Sequence, residues 1–338
     1  MDTVELSRAT LRPAPDFPSF TARAPWWGGD LQTLRSFFIR RYGRLDPYPV
    51  ERLSLPMNDG SGDALSAVLN RPLQAMARPL AVLVHGLTGC EESFYLLNTA
   101  AHLLSLGFPV LRLNLRGAGP SRPFCRLQYH AGRSEDFAAA LAALPKALAA
   151  AGVVAIGYSL GANMLLKYLG EHGAAAAVLA AVAVSAPLAL AETSRRLMRR
   201  RNALYQTYLL TEMKREAVAP GAEVSARERA AIAEARSIWD FDNGFSAPRN
   251  GFAGAEDYYE RNGAGRFLDG IAVPTLVIHA LDDPWIPPTA YLAHDWRRNR
   301  NLMPLLPRRG GHVGFQGRGH RLAWHDRCIE RFLGEIKI

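Results

Sequence analysis

The sequence predicts an α/β protein: a mostly parallel, twisted sheet with helices on both faces and one helical insertion. Three observations predict it. Short runs that are apolar throughout, such as Leu80–Val84 and Val153–Ile156, alternate with longer helical stretches. That is the pattern of strands buried on both faces by crossover helices. One strand drives into Gly157-Tyr158-Ser159-Leu160-Gly161 and then into Met164–Leu169, a helix pattern. Its glycines let the backbone crowd itself in a sharp strand-to-helix turn. Finally, roughly residues 187–270 break the alternation, being mostly helical and charged.

The elements follow in order. Residues 1–48 are rich in Pro and Arg with scattered aromatics, including Pro25-Trp26-Trp27-Gly28-Gly29. They read as an extended arm packed on the body, not a separate domain. Val50–Leu55 and Ala64–Asn70 are extended segments separated by Asn58-Asp59-Gly60-Ser61-Gly62, turn chemistry that predicts a β-hairpin. Leu80–Val84 is a buried strand and Tyr95–Leu106 a helix ended by Gly107. Pro109–Leu115 is a strand, and Glu135–Ala149 an Ala-rich helix. After the motif strand and its helix comes a strand at Ala176–Val184. Beyond the insertion lie strand Pro274–His279, helix Thr289–Arg297, strand Leu302–Leu306 and the closing helix Leu322–Ile336. The chain thus divides into an arm (1–48), a core (49–186 and 271–338) and a lid or cap (187–270). Insertions at strand ends are where such sheets carry substrate-selecting lids.

Composition bounds the function classes. With 338 residues, 49% of them hydrophobic, the chain is long enough for one large core with an insertion. No apolar run approaches the roughly 20 residues that span a bilayer. Met1–Arg8 has acidic residues and no apolar stretch, so a secretory signal is not expected. Cys90, Cys125 and Cys328 form no CxxC and read as free thiols in a reducing compartment, hence a cytoplasmic protein. Forty Lys and Arg against 31 Asp and Glu leave a net charge of +9. Much of the excess lies in Ser194–Arg201, where a helix would carry Arg195 with Arg199, and Arg196 with Arg200, as one basic stripe. The stripe is either a solvated face or a contact for anionic lipid head groups or a charged substrate tail. Nucleic acid is not an expected partner, because no binding motif accompanies the charge.

A serine hydroxyl at the apex of the turn has chemical reach. It projects clear of the sheet, at a helix N-terminus whose free N–H groups favour developing negative charge. The plain alternative is a Gly-rich turn whose serine caps the helix. To act as a nucleophile, Ser159 needs a base, and the base an orienting carboxylate, following it in the order acid then histidine. Asp282-Asp283-Pro284 stands at a strand's end, and Asp283 is preferred because it precedes the Ile286-Pro287 pair by a few residues. His312 sits among glycines on a loop before the last helix; His320 and His325, in or near that helix, are its rivals. Two N–H donors must hold the oxyanion. Leu160 follows the nucleophile, and Leu87 lies in His85-Gly86-Leu87-Thr88-Gly89 after the first parallel strand. His85 shapes that loop by hydrogen bonding instead of serving as a second base. With no HExxH motif or Cys/His cluster, neither metal nor cofactor is expected.

Together, His85–Gly89, Asn114-Leu115-Arg116-Gly117, Gly157–Asn163, Asp282–Pro284 and Gly311–Phe315 resemble the α/β-hydrolase fold family. Trp27–Leu34 of the arm, with Phe241-Asp242, Ala247-Pro248, Gly251-Phe252 and Tyr258-Tyr259 of the insertion, is similar to its YheT-like branch. The resemblance runs from about residue 20 to the C-terminus. One departure is Asp30, where the branch favours His; no role is assigned to it. The resemblance implies hydrolysis of carboxylic esters, often of short- or medium-chain acyl groups, with eukaryotic relatives acting on lipids or making ethyl esters. Carried onto this sequence, Ser159 attacks the acyl carbon, His312 takes its proton and Asp283 orients His312. The Leu87 and Leu160 N–H groups hold the oxyanion. The expected partner is a small acyl ester or a lipid. Acyl transfer to an alcohol would use the same residues, and a phospholipid esterase at an anionic membrane would draw on Arg195–Arg201. A non-catalytic binding protein on this fold would tend to lack a member of the triad.

Overall fold

The computed structural model describes residues 16–39, 43–74 and 76–338; the first 15 residues of the expected arm lie outside them. The strands are β1 Val50–Pro56, β2 Ala64–Asn70, β3 Leu80–Val84, β4 Val110–Leu113, β5 Val153–Tyr158, β6 Ala180–Val184, β7 Thr275–Ile278 and β8 Leu302–Leu305. They form one sheet in the order β1-β2-β4-β3-β5-β6-β7-β8. The expected hairpin is β1 with β2, in the register Pro56 opposite Ala64, and β2 pairs antiparallel with β4. Every later pairing is parallel.

The helices are α1 Gly29–Phe38, α2 Phe94–Ser105, α3 Ser134–Ala142, α4 Leu160–His172, α5 Leu190–Leu197, α6 Ala203–Ala217, α7 Ala226–Glu234, α8 Ile238–Phe241, α9 Ala247–Arg249, α10 Ala255–Asn262, α11 Thr289–Ala293 and α12 Trp324–Glu335. Successive side chains of a strand point to opposite faces, so each all-apolar strand feeds two cores. Leu80, Val82 and Val84 of β3 join α3, α4 and Tyr291 of α11 in one cluster. Ala81 and Leu83 join α2 and α12 in the other. The segment between β6 and β7 has a third core of its own, built from Leu197, Leu209, Met213, Ile238, Phe241 and Phe245. Leu87 and Trp285, from loops at the sheet edge, pack against it. Among the described residues, no helix is long and apolar enough to cross a membrane.

Four expectations change. The helix expected over Glu135–Ala149 stops at Ala142, because Pro145 excludes helical conformation at the residue before it and removes a donor. The helix expected over Thr289–Arg297 breaks after Ala293, and the Asp295 side chain caps a short 3₁₀ turn, Trp296–Arg298, in its place. Ala176–Leu179 precedes β6 instead of belonging to it. The arm is not extended throughout, since α1 lies inside it.

Candidate active site

Parallel strands gather the candidate residues at their carboxyl ends, where open α/β sheets bind ligands. Ser159 follows β5 with φ +52° and ψ −120°. A side-chain-bearing residue holds that conformation only where its surroundings enforce it. Ser159 N–H donates to Val184 O of β6 at 2.8 Å. A Cβ at Gly161 would stand 2.3 Å from His85 O, and one at Gly157 2.7 Å from the Ala162 Cα. The two glycines of the motif are therefore demanded by contact. Asn163, fully buried, donates to Ala131 O and Asn262 O and accepts from Ala264 N–H, bracing the start of α4.

Asp283 is fully buried after β7. Its Oδ1 accepts from Trp285 N–H at 2.8 Å and Ile286 N–H at 3.0 Å, and its Oδ2 meets His312 Nδ1 at 2.8 Å. Burial would raise this carboxyl's pKa. The charge and hydrogen bond of His312, with His279 and Ile286 N–H, outweigh it and hold the carboxyl below its ordinary value. On the other side of the ring, His312 Nε2 lies 2.9 Å from Ser159 Oγ. The serine, histidine and Asp283 thus form one hydrogen-bonded line. Trp285 stacks on the imidazole, with centroids 4.3 Å apart. Asp282 points elsewhere: its Oδ1 accepts from Gly311 N–H at 2.9 Å. Of the rival histidines, His320 is exposed. His325 is buried in α12, edge-on to Tyr158 and Phe315.

The β3 loop brings Gly86 against Ser159, where an added Cβ would sit 3.0 Å from the serine Cβ. His85 is committed to the backbone on both ring nitrogens. It accepts Leu115 N–H at Nε2, so the proton on Nδ1 goes to Gly86 O. Burial outweighs the Gly86 bond and lowers its pKa to about 4, so His85 is a neutral loop former. Leu160 is the first residue of α4, so its N–H has no acceptor within the helix.

A cavity of about 1000 Å³, open solvent at its mouth included, reaches Ser159 and His312. Its roof is apolar and comes from Leu190, Leu197, Leu209, Met213, Ile238 and Phe241, all between β6 and β7. Its acids are Glu216 and Asp242. Burial pushes the Asp242 carboxyl up to about 6, against hydrogen bonds from Tyr259 and Ser246. Asp242 lies in a π-helical turn joining α8 to α9, a distortion that often marks functional positions. Among the described residues, no group of three or more His, Cys, Asp or Glu is arranged to hold a metal ion.

A family model of the α/β hydrolase fold matches residues 79–316. The chain belongs to the α/β-hydrolase family. Within that family, YheT of Escherichia coli (strain K12) is 33% identical over 323 residues, 92% of each chain, which bears out the YheT-like branch. Mouse phospholipase ABHD3 is 29% identical over 77% of this chain and 64% of its own. Among solved structures, the esterase Pf2001 of Pyrococcus furiosus superposes with a TM-score of 0.58, covering 95% of this chain and 98% of that one at 16% identity. That is a likeness of fold.

The arm gives this α/β-hydrolase site residues that the sequence did not assign. Thr33 Oγ1 of α1 accepts His312 N–H at 2.8 Å. Gln32, fully buried, accepts Gln316 N–H at 2.7 Å and donates to Gln316 O and Trp26 O. A Cβ at Gly311 would lie 2.4 Å from Gly29 O, and one at Gly29 1.9 Å from Asp282 O. The helix α1 therefore clamps both the acid loop and the histidine loop. The quoted motif Trp27–Leu34 was the available signal. Asp30 is an anchor as well, accepting from Arg201 at 2.7 Å and Tyr205 at 3.0 Å.

The basic stripe needs correction. Helix α5 ends at Leu197, and Arg199 is extended, so no single helix carries Arg195 with Arg199 or Arg196 with Arg200. The cause is Asn202, whose side-chain amide donates to Arg196 O and Pro284 O and ties off the helix end. Arg195 pairs with Glu256. Arg196 donates to Pro284 O and Asp283 O, bracing the acid loop.

Proposed function

We propose that the chain is a serine carboxylesterase, cleaving esters of short- to medium-chain acids through an acyl-enzyme on Ser159. The observation that carries this is the line Ser159–His312–Asp283 at the floor of an apolar cavity. Ser159 Oγ attacks the acyl carbon while His312 Nε2 takes its proton, and Asp283 stabilises the imidazolium through Nδ1–H. Charge gathers on the former carbonyl oxygen, and the N–H groups of Leu87 and Leu160 donate hydrogen bonds to it, each contributing about 10²–10³ in rate. Collapse of the intermediate breaks the ester C–O bond, and His312 returns the proton to the departing alcohol. Water then attacks the acyl-serine with His312 again taking the proton; the bond between the acyl carbon and Ser159 Oγ breaks, His312 returns the proton to Oγ, and the acid leaves. Residues 187–270 act as the lid whose apolar face receives the acyl chain.

The test is covalent. A fluorophosphonate is expected to label Ser159, seen as a mass shift on its peptide, with labelling lost in Ser159→Ala. Intact wild-type protein that resists the probe and turns over no activated ester would end the proposal. Chain length reads the cavity. Along a p-nitrophenyl ester series, kcat/KM is expected to rise about fourfold per added CH₂, the equivalent of ~0.8 kcal/mol, until the cavity is full. A flat series would mean that the apolar roof does not meet the acyl chain.

A second reading, an ester carried on a lipid, is favoured by one surface. Leu204 is 87% exposed and Trp27 58%, with Leu31 and Tyr208 also exposed. The bonds from Arg201 and Tyr205 to Asp30 join the starts of α1 and α6, and exposed Arg199 and Arg200 supply positive charge nearby. The mammalian relative named a phospholipase fits this reading. Rates that climb once the substrate aggregates would support it, and rates indifferent to aggregation would count against it.

A further inference from the structure

The loop after β3 contributes four consecutive amides, and three of them have partners. Gly86 N–H donates to the Tyr95 hydroxyl at 2.9 Å. Thr88 N–H donates to the Tyr129 hydroxyl at 2.8 Å. Gly89 N–H donates to Gly86 O at 3.1 Å. Among the described residues, only the Leu87 N–H of this run is left without a protein acceptor, one residue from the Gly86 that touches Ser159. Thr88 is held at φ +55°, a conformation that costs a β-branched residue energy and persists only where neighbours impose it.

We propose that Tyr95 and Tyr129 are positioning residues for the oxyanion hole, their hydroxyls fixing the amides on either side of Leu87. We further propose that Glu216 of α6 couples this clamp to the helical segment between β6 and β7. This rests on the reading of Leu87 as an oxyanion donor. The two tyrosines come from different parts of the chain, Tyr95 from α2 and Tyr129 from the loop before α3, and converge on one short loop. Each is fixed from behind. The Tyr95 ring packs on Tyr158 with centroids 4.8 Å apart. Tyr129 stands edge-on to His85 at 6.0 Å, and its own N–H donates to Arg116 O. Arg116 is in turn buried among Asp63, Asp136 and Asp59.

A tyrosine hydroxyl that accepts an amide still has a proton to place. Tyr129 donates it to Glu216 Oε2 at 2.9 Å, and Leu87, Tyr129, Glu216 and Ser159 all line the same cavity. The groups that face Glu216 are Tyr129 and Cys90 from the sheet side, Arg122 from the turn before Cys125, and Glu212, Arg215 and Tyr208 on its own helix. Burial raises its carboxyl pKa to about 7. The Tyr129 hydrogen bond opposes this, Glu212 adds to it, and Arg215 and Arg122 oppose it. Ionised, Glu216 can only accept, so the Tyr129 proton turns to it and the Tyr129 lone pairs face Thr88 N–H. Protonated, Glu216 can present its own O–H to Tyr129, in competition with Thr88 N–H. The clamp therefore strengthens as pH rises through about 7.

The test is steady-state kinetics on a soluble p-nitrophenyl ester across pH, for the wild type, Tyr95→Phe, Tyr129→Phe, Glu216→Gln and Ser159→Ala. Oxyanion donors act on the transition state, so Tyr129→Phe is expected to lower kcat about 10- to 100-fold with KM within about twofold. The ratio of wild-type to Glu216→Gln kcat/KM is expected to climb with pH through about 7 and level off. A merely structural role for Glu216 would leave that ratio flat. If both phenylalanine variants keep wild-type kcat while Ser159→Ala is inactive, the clamp is refuted and the serine mechanism stands. A flat ratio removes Glu216 from it. Turnover surviving in Ser159→Ala would overturn both readings together. Should Tyr129→Phe fail to fold, Tyr95→Phe and the Glu216→Gln ratio decide.

Discussion

His312→Ala is expected to lower kcat on a p-nitrophenyl ester by about 10⁴- to 10⁶-fold, and the Ser159→Ala/His312→Ala double variant is expected to be no slower than either single one. The reason is geometric. The Ser159 Oγ proton has one base, Nε2 of His312 at 2.9 Å. His85, on the loop after β3, has both nitrogens spent on backbone groups. Without His312 the serine stays a neutral alcohol, and without Ser159 the base has nothing to activate. On the proposed mechanism the oxyanion donors and the binding cavity remain, worth about 10³–10⁴ over water. Stopped assays with hours of incubation and a fluorophosphonate count of active sites measure the drop. Losses that multiply in the double variant would mean that serine and histidine act separately. The imidazole is held by Asp283 and the Trp285 face, and the backbone N–H of His312 keeps its bond to Thr33 in the variant, so removal of the ring leaves a gap at a loop and not in the sheet. Unchanged thermal unfolding is the accompanying control.

What was legible in the sequence followed from how strongly each feature is dictated locally. The runs Leu80–Val84 and Val153–Ile156 are apolar on every residue because both faces of β3 and β5 are covered. The turn at Ser159 needs glycine at two positions for contacts under 3 Å, so the motif marks the geometry directly. The clamp from α1 left no such trace. Among its described side chains, Gln32, Thr33 and Ser36 are buried while Leu31 and Phe38 are exposed, so hydrophobicity at these positions does not mark burial. A helix that buries polar groups to hold a loop looks like irregular chain to any pattern based on oil and water. The arginine segment failed for a related reason. A helix end is set by a tertiary partner, here the Asn202 amide reaching Pro284, and nothing local announces it. The roles of Tyr95 and Tyr129 are equally non-local. Each is unremarked in its own stretch and becomes significant only where the two hydroxyls meet one loop.

Asp283→Asn is expected to cost about 10⁴-fold in kcat, and Asp282→Asn less than about tenfold, although the two residues adjoin and carry the same charge. The Oδ1 of Asp283 accepts two backbone N–H groups, which no amide nitrogen can do. The amide of Asp283→Asn must therefore turn its oxygen to Trp285 and Ile286 and its NH₂ to His312. An NH₂ facing Nδ1 forces that nitrogen to accept, which puts the imidazole proton on Nε2, the atom that has to take the proton of Ser159. The variant keeps its shape and holds the wrong tautomer. At Asp282 the Oδ1 accepts Gly311 N–H, and an amide oxygen accepts it as well as a carboxylate does. The pKa directions agree. Asp283 is held below the ordinary carboxyl value, so its contribution to stability is present above that value and is lost as pH falls through the lowered one. Asp282 is pushed up by burial, with Asp283 adding to it and the Gly311 and Gly310 N–H groups opposing. Burial thus makes its charged form less favourable in the fold than in a free chain, and neutralising it removes that cost. A fall in kcat confined to Asp282→Asn would reverse the assignment. A fall in both with matched losses of thermal stability would trace the effect to the acid loop as a whole and not to the tautomer of His312.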